Sequence, residues 1–227
     1  RATSKSYAQV VPDLITRVRK SGRDHAGDVI ARYLRQQSAT NWYWPDDAQV
    51  RADLRAFPAY RRLSRARARM VLEAIEDHER GWRGEATGLG GERIARGIYS
   101  IEHILPRKWS EHWPLPEGVS EEDRDALVDT FGNLTLLTGK MNSIVSNGPW
   151  SGPAGKREAL NQHCVLMLNR RLLDHCVGIW DDAQIQTRGE RLVDIILEIW
   201  AVPEGHRVAM TRAEHRPERK VEIADLI

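Results

Sequence analysis

Cysteine is nearly absent: Cys164 and Cys176 are the only two in 227 residues. That excludes a disulfide framework and fits a reducing compartment, so a cytoplasmic protein is expected. Long apolar runs are missing too. The stretch Val193 to Trp200 is broken by Asp194 and Glu198, far short of the ~20 residues a bilayer crossing needs, so no membrane partner is expected. There is no secretory signal peptide, and the chain opens on Arg1 rather than Met, which reads as a piece of something longer. A phosphate-binding loop is also lacking. Gly88-Leu89-Gly90-Gly91 fails the G-x-x-x-x-G-K-[ST] pattern, and Gly139-Lys140-Met141 lacks the upstream glycine and the Ser/Thr, so no nucleotide site is expected in this fragment.

What is present describes a globular protein of one domain or two. Hydrophobic residues make up 41% and charged residues 29%, and mean hydropathy is -0.53. A single core at this length can bury roughly 70 to 75% of the unfolded surface, so no covalent staple is required. Net charge is only +2, but its distribution is uneven. Residues 1–100 hold 19 Lys+Arg against 12 Asp+Glu, and residues 101–227 hold 15 against 20. The basic half carries a dense run, Arg51, Arg55, Arg61, Arg62, Arg65, Arg67 and Arg69. Such a stripe can neutralise a phosphate backbone, or it can be a solvated helix face.

Hydrophobic spacing predicts helices around Val10, Leu14, Ile15 and Val18, around Val29, Ile30, Tyr33 and Leu34, and around Met70, Val71, Leu72 and Ile75. Asp24 and Pro45-Asp46-Asp47 read as helix starts. The aromatic knot Asn41-Trp42-Tyr43-Trp44 fits a plug between helices better than a base-stacking platform. After a glycine-rich break at 81–91, a β-prone run Ile98 to Ile101 precedes a loop holding Trp109 and Trp113, both read as local core. A short helix, Glu121 to Val128, leads to a second β-prone run, Leu134 to Leu137, then to a helix from about Thr138 to Ser146 closed by Asn147-Gly148. Helical periodicity returns from Pro153, and the tail beyond Pro203 is polar. His163-Cys164 and His175-Cys176 lie twelve apart, which on one straight helix turns them about 120° away from each other, so structural zinc is disfavoured.

The chemistry-bearing stretch is Ile101-Glu102-His103-Ile104-Leu105-Pro106. Adjacent residues at a strand end point in different directions, so one side chain can face a metal and the other a substrate. Thirty residues on comes Gly132-Asn133-Leu134-Thr135-Leu136-Leu137, and nine past Asn133 comes Asn142. A Glu carboxylate and an Asn amide oxygen are hard donors suited to Mg²⁺ that keeps several waters.

These motifs resemble the HNH, or ββα-metal, nucleases, specifically the C-terminal nuclease domain of GmrSD-like and SspE-like restriction proteins. The resemblance runs over Arg69 to Trp82, with its Leu-x-x-Ile-Glu pattern, Ile101 to Pro106, Gly132 to Leu137 and Asn142, and on to Lys156. It implies an α+β, mostly helical protein with a central ββα-metal motif surrounded by helices. The expected division is a basic, DNA-contacting helical part at 1–91, a nuclease core at 92–157 and a C-terminal helical segment at 158–227, forming one compact unit. The resemblance assigns His103 as general base and Asn133 as the brace of the loop that aims it. Glu102 and Asn142 would hold one divalent ion, Mg²⁺ or Mn²⁺. Lys156, Arg107, Lys108 and Lys140, with Arg61, Arg62, Arg65 and Arg67 of the stripe, would contact phosphate.

DNA is the implied substrate and nicking the elementary event. Bacterial anti-phage defence is the implied setting, with an upstream NTPase domain sensing phosphorothioate or glucosylated DNA. Two other readings stay open at this stage: a non-catalytic DNA-binding module that retains the scaffold, and a nuclease acting on RNA.

Overall fold

The computed structural model describes residues 4–37, 43–82, 91–139, 147–153, 155–163 and 165–206. The chain divides into two compact units, one of Arg1–Val50 with Val202–Ile227 and one of Arg51–Ala201.

In the first unit, α1 (Ser4–Ser21) and α2 (Ala26–Arg35) pack on each other. Gly22, at φ 80°, turns the chain after α1; Asp24, expected as a helix start, falls inside a short 3-10 turn over Arg23–His25, and α2 begins two residues later with His25 at its N-cap. Trp42 lies outside the described residues. Trp44 sets its ring 5.2 Å from that of His206, whose Nε2 meets the Trp44 carbonyl at 2.8 Å. Helix α3 runs over Asp47–Leu54, and the Asp46 carboxylate caps it by accepting from Gln49 N.

The second unit is built around a two-stranded antiparallel sheet. Strand β1 (Ser100–His103) pairs with β2 (Leu134–Leu137) in the register Ser100↔Leu137, Ile101↔Leu136, Glu102↔Thr135, His103↔Leu134. The first strand therefore begins two residues later than Ile98, which is 59% exposed, because Gly97 at φ 77° still belongs to the preceding turn. Both faces of β2 are covered. Leu134 and Leu136 enter a cluster with Leu72, Ile75, Phe131, Leu168 and Leu192, whereas Leu137 joins one with Ile104, Trp109, Trp113, Leu160 and Trp180.

The surrounding helices are α4 (Ala59–Arg62), α5 (Arg65–Glu79), α6 (Glu121–Val128), α7 (Lys156–His163), α8 (Met167–His175) and α9 (Asp182–Ile199). Ser64 and Ser120 cap α5 and α6, and three acids occupy the first turn of α6, favourable at the positive end of the helix dipole. The expected apolar face of α5 is only partly right. Met70 is 53% exposed, and the buried face instead includes the carboxylates Glu73, Glu76 and Asp77. Burying them is tolerable because each receives backbone donors: Gly97 N on Glu73, Ile94 N on Asp77, and Met167 N and Leu168 N on Glu76. Helix α5 thus fixes both the approach to β1 and the start of α8.

The mostly helical α+β class is present. The helix expected from Thr138 to Ser146 falls outside the described residues from Lys140 onward, and with it fall Lys140 and Asn142; Cys164 and the tail beyond His206 also lie outside them. Cys176 is buried and its thiol donates to Ile179 O.

A 3-10 turn over Phe131–Asn133 joins α6 to β2 and lies against α9. A methyl group on Gly132 would come within 2.1 Å of Ile185 O and 3.1 Å of Gly189 Cα. The motif glycine is thus required by close backbone approach rather than by an unusual φ. Gly132→Ala is expected to cost about 1–3 kcal/mol or more, as overpacking against backbone does. Urea unfolding would show it as a lower midpoint at unchanged slope, and an unchanged midpoint would refute the close-packing account.

Candidate active site

Alternation along β1 sends Glu102 and His103 to different surroundings. Glu102, opposite Thr135, lies with its Oε1 3.8 Å from the Lys156 ammonium. His103, opposite Leu134, turns to Asp129 and Tyr60: its Nε2 is 3.0 Å from Asp129 Oδ1, and the Tyr60 ring meets it edge-on at 4.3 Å between centroids. A small cavity of about 10 Å³, the scale of one water, is lined by Glu102, His103, Thr135 and Lys156.

Burial dominates the electrostatics here. Desolvation lowers the His103 pKa to about 4, against the pull of Asp129, so the imidazole is neutral at pH 7. Desolvation also raises the Glu102 carboxyl, with Lys156 opposing, and lowers the Lys156 amine to about 8, with Glu102 opposing. Lys156, expected to contact phosphate, is only 2% exposed. Its ammonium donates to His103 O at 2.9 Å, so it ties the start of α7 to the end of β1.

Asn133 is wholly buried and uses its amide fully. Its Oδ1 accepts from Leu105 N at 2.8 Å and Trp180 Nε1 at 3.2 Å, while its Nδ2 donates to Leu105 O and Val128 O at 2.8 and 2.9 Å. Ile104 N adds a bond to Asn133 O at 3.0 Å. The two residues after His103 are therefore locked to the turn before β2. On the other side of that turn, the buried Arg188 donates to Gly132 O and Leu134 O at 2.7 and 2.9 Å.

The arginine stripe separates into distinct groups. Arg51 and Arg55 pair with Asp194 and Glu190 of α9, and Arg69 reaches Tyr99 O at 3.4 Å. Arg61 instead pairs with Asp129 Oδ2, and Arg65 lies 3.3 Å from the centroid of the Tyr60 ring while donating to Tyr60 O. Arg62 and Arg67 are exposed on the neighbouring turns. Arg107 brings its Nε to 4.0 Å from Asp129 Oδ1 and is, like Lys108, exposed. Arg61, Arg65 and Arg107 thus ring the His103 side of the strand.

Asp129 belongs to none of the sequence motifs. It is fully buried and stands at the C-terminal cap of α6. A carboxylate is unfavourable beside the negative end of a helix dipole unless other partners hold it, and that mismatch was the available signal.

A family model described as "GmrSD restriction endonucleases, C-terminal domain" matches residues 44–195. The chain belongs to this family. The match contains β1, β2, Asp129, the Asn133 turn and the stripe, so the geometry above lies within a restriction-endonuclease domain. No curated protein and no solved structure matches the chain. Within the GmrSD-type domain, and among the described residues, no group of three or more His, Cys, Asp or Glu could hold a metal ion. Glu102 supplies one hard carboxylate oxygen donor. A single carboxylate suits an ion of the Mg²⁺ type that keeps most of its waters, and does not suit structural zinc.

Asn133→Ala leaves Leu105 N, Leu105 O, Val128 O and Trp180 Nε1 without these partners. At roughly 1–3 kcal/mol for a buried polar group left unpaired, the loss should be at least about 3 kcal/mol. Near 2–4 °C per kcal/mol for a chain of this size, Tm should fall by about 6–12 °C. A thermal melt within about 2 °C of the parent would refute the bracing role.

Proposed function

We propose that this domain is a metal-dependent DNA endonuclease of the HNH type that hydrolyses one phosphodiester bond per encounter, nicking duplex DNA. The observation that carries the reading is the Glu102–His103 pair at the end of β1: a neutral imidazole and a hard carboxylate, on adjacent residues, held by Asn133 and Lys156 within the family-matched region.

His103 takes a proton from a water molecule as that water attacks phosphorus; being neutral at pH 7, it is in the form a general base requires. Attack breaks the bond from phosphorus to the 3′-oxygen, leaving a 3′-hydroxyl and a 5′-phosphate. Glu102 and Asn142 would hold the divalent ion, Mg²⁺ or Mn²⁺, which when bound supplies positive charge for the phosphate and the developing 3′-oxyanion. Arg61, Arg62, Arg65, Arg67, Arg107 and Lys108 position the DNA backbone, as would Lys140. Lys156 braces the strand end from within. In the same proposal the domain works in the cytoplasm of a bacterium as the effector of an anti-phage restriction system. An upstream NTPase domain that recognises phosphorothioate or glucosylated DNA would direct it.

The test is conversion of supercoiled plasmid to open circles by the chain with Mg²⁺ or Mn²⁺, with and without excess EDTA. The expected outcome is metal-dependent nicking that His103→Ala reduces by about 10²–10⁴, the usual span of general-base catalysis, while the circular dichroism spectrum is retained. Intact plasmid over a wide range of folded protein would favour a non-catalytic DNA-binding module, and cleavage confined to RNA would move the substrate class.

A further inference from the structure

The pairing of His103 with a buried carboxylate goes beyond the motif residues. We propose that Asp129 is the positioning residue for His103: its Oδ1 accepts the Nε2–H of the imidazole, which leaves Nδ1 as the nitrogen that takes the proton. The inference rests on the hydrolytic reading above for its consequence, but the hydrogen bond stands on geometry.

Asp129 Oδ1 lies 3.0 Å from Nε2, and both side chains are almost wholly removed from water. With the proton on Nδ1 instead, two acceptors would face each other at that distance in a desolvated site, the costly arrangement. The Arg61 guanidinium lies against Asp129 Oδ2, and Arg107 approaches Oδ1 at 4.0 Å, so positive charge faces both carboxylate oxygens. The carboxylate is anchored through its own backbone as well, since Asp129 O accepts from Tyr60 N at 3.0 Å. The Tyr60 ring, at 70° to the imidazole, packs against it edge-on. Carboxylate, imidazole and reacting water would then stand in series. A carboxylate used this way selects the tautomer and ring orientation without taking the proton itself. None of this depends on the arginine stripe as a whole, because Arg51 and Arg55 are engaged with α9 instead.

Two measurements on the intact chain test it. In a sample labelled with ¹⁵N-histidine at pH 7.5, long-range ¹H–¹⁵N correlations, with His103 assigned by its loss in His103→Ala, should show the Nε2-protonated tautomer. In plasmid nicking, Asp129→Asn should lower kcat at least tenfold with KM for DNA within twofold, because the amide keeps the shape but can present NH₂ or C=O to the ring. A ring protonated on Nδ1 in the parent protein overturns the proposal, and so does an Asp129→Asn variant with kcat within twofold of the parent. Should Asp129→Asn fail to fold, the parent spectrum alone decides. A parent chain with the Nε2–H tautomer that cuts no DNA overturns the hydrolytic reading and leaves the tautomer assignment intact, so the two failures are distinguishable.

Discussion

One side-chain amide organises the centre of this domain. Asn133 spends both its oxygen lone pairs and both its N–H donors on Leu105, Val128 and Trp180. Those partners belong to the stretch after β1, the end of α6 and the segment before α9, so a single buried group sets three parts of the chain against one another. No bond in the set is exchangeable with water, because Asn133 is fully enclosed, and leaving any of the four partners unpaired would carry the full desolvation cost. The direction in which Glu102 and His103 leave the strand follows from that constraint. Lys156 and Arg188 reinforce it from opposite sides, each by donating to backbone carbonyls next to the turn or the strand end.

Around this scaffold the buried ionisable groups are partnered. The exposed Arg61 reaches the buried Asp129, which meets the neutral His103; on the other side the buried Lys156 meets Glu102. Asp129 and Lys156 thus each have a partner of opposite sign, as a low-dielectric interior demands. Burial alone would leave the imidazole uncharged, and the carboxylate beside it opposes that tendency without reversing it. A neutral ring in a largely dehydrated pocket, next to a carboxylate on the adjacent residue, is an arrangement suited to moving a proton to or from water.

Much of the fold could be read from periodicity and caps. Helix α6 coincides with the expected Glu121 to Val128, and β2 with Leu134 to Leu137. The departures have physical causes. Strand β1 starts late because its partner ends at Leu137 and Gly97 turns the chain first. The buried face of α5 departs from hydrophobic periodicity because Glu73, Glu76 and Asp77 are buried as acceptors for backbone N–H groups. At the site, Glu102, His103 and Asn133 stood out as a motif with fixed spacing. Asp129 and Arg188 did not, since they approach the motif from other elements through tertiary packing. Gly132 stood out only as a letter of the motif; its reason, the closeness of Ile185 O, needs three dimensions.

In the proposed reaction His103 activates a water molecule that attacks phosphorus. The most direct test is to cut DNA in H₂¹⁸O with the parent chain and Mg²⁺ and to read the new ends by mass spectrometry. One solvent-derived ¹⁸O on each new 5′-phosphate, opposite an unlabelled 3′-hydroxyl, is the predicted result. A 3′-phosphate end, or a 5′-phosphate without the label, would contradict it.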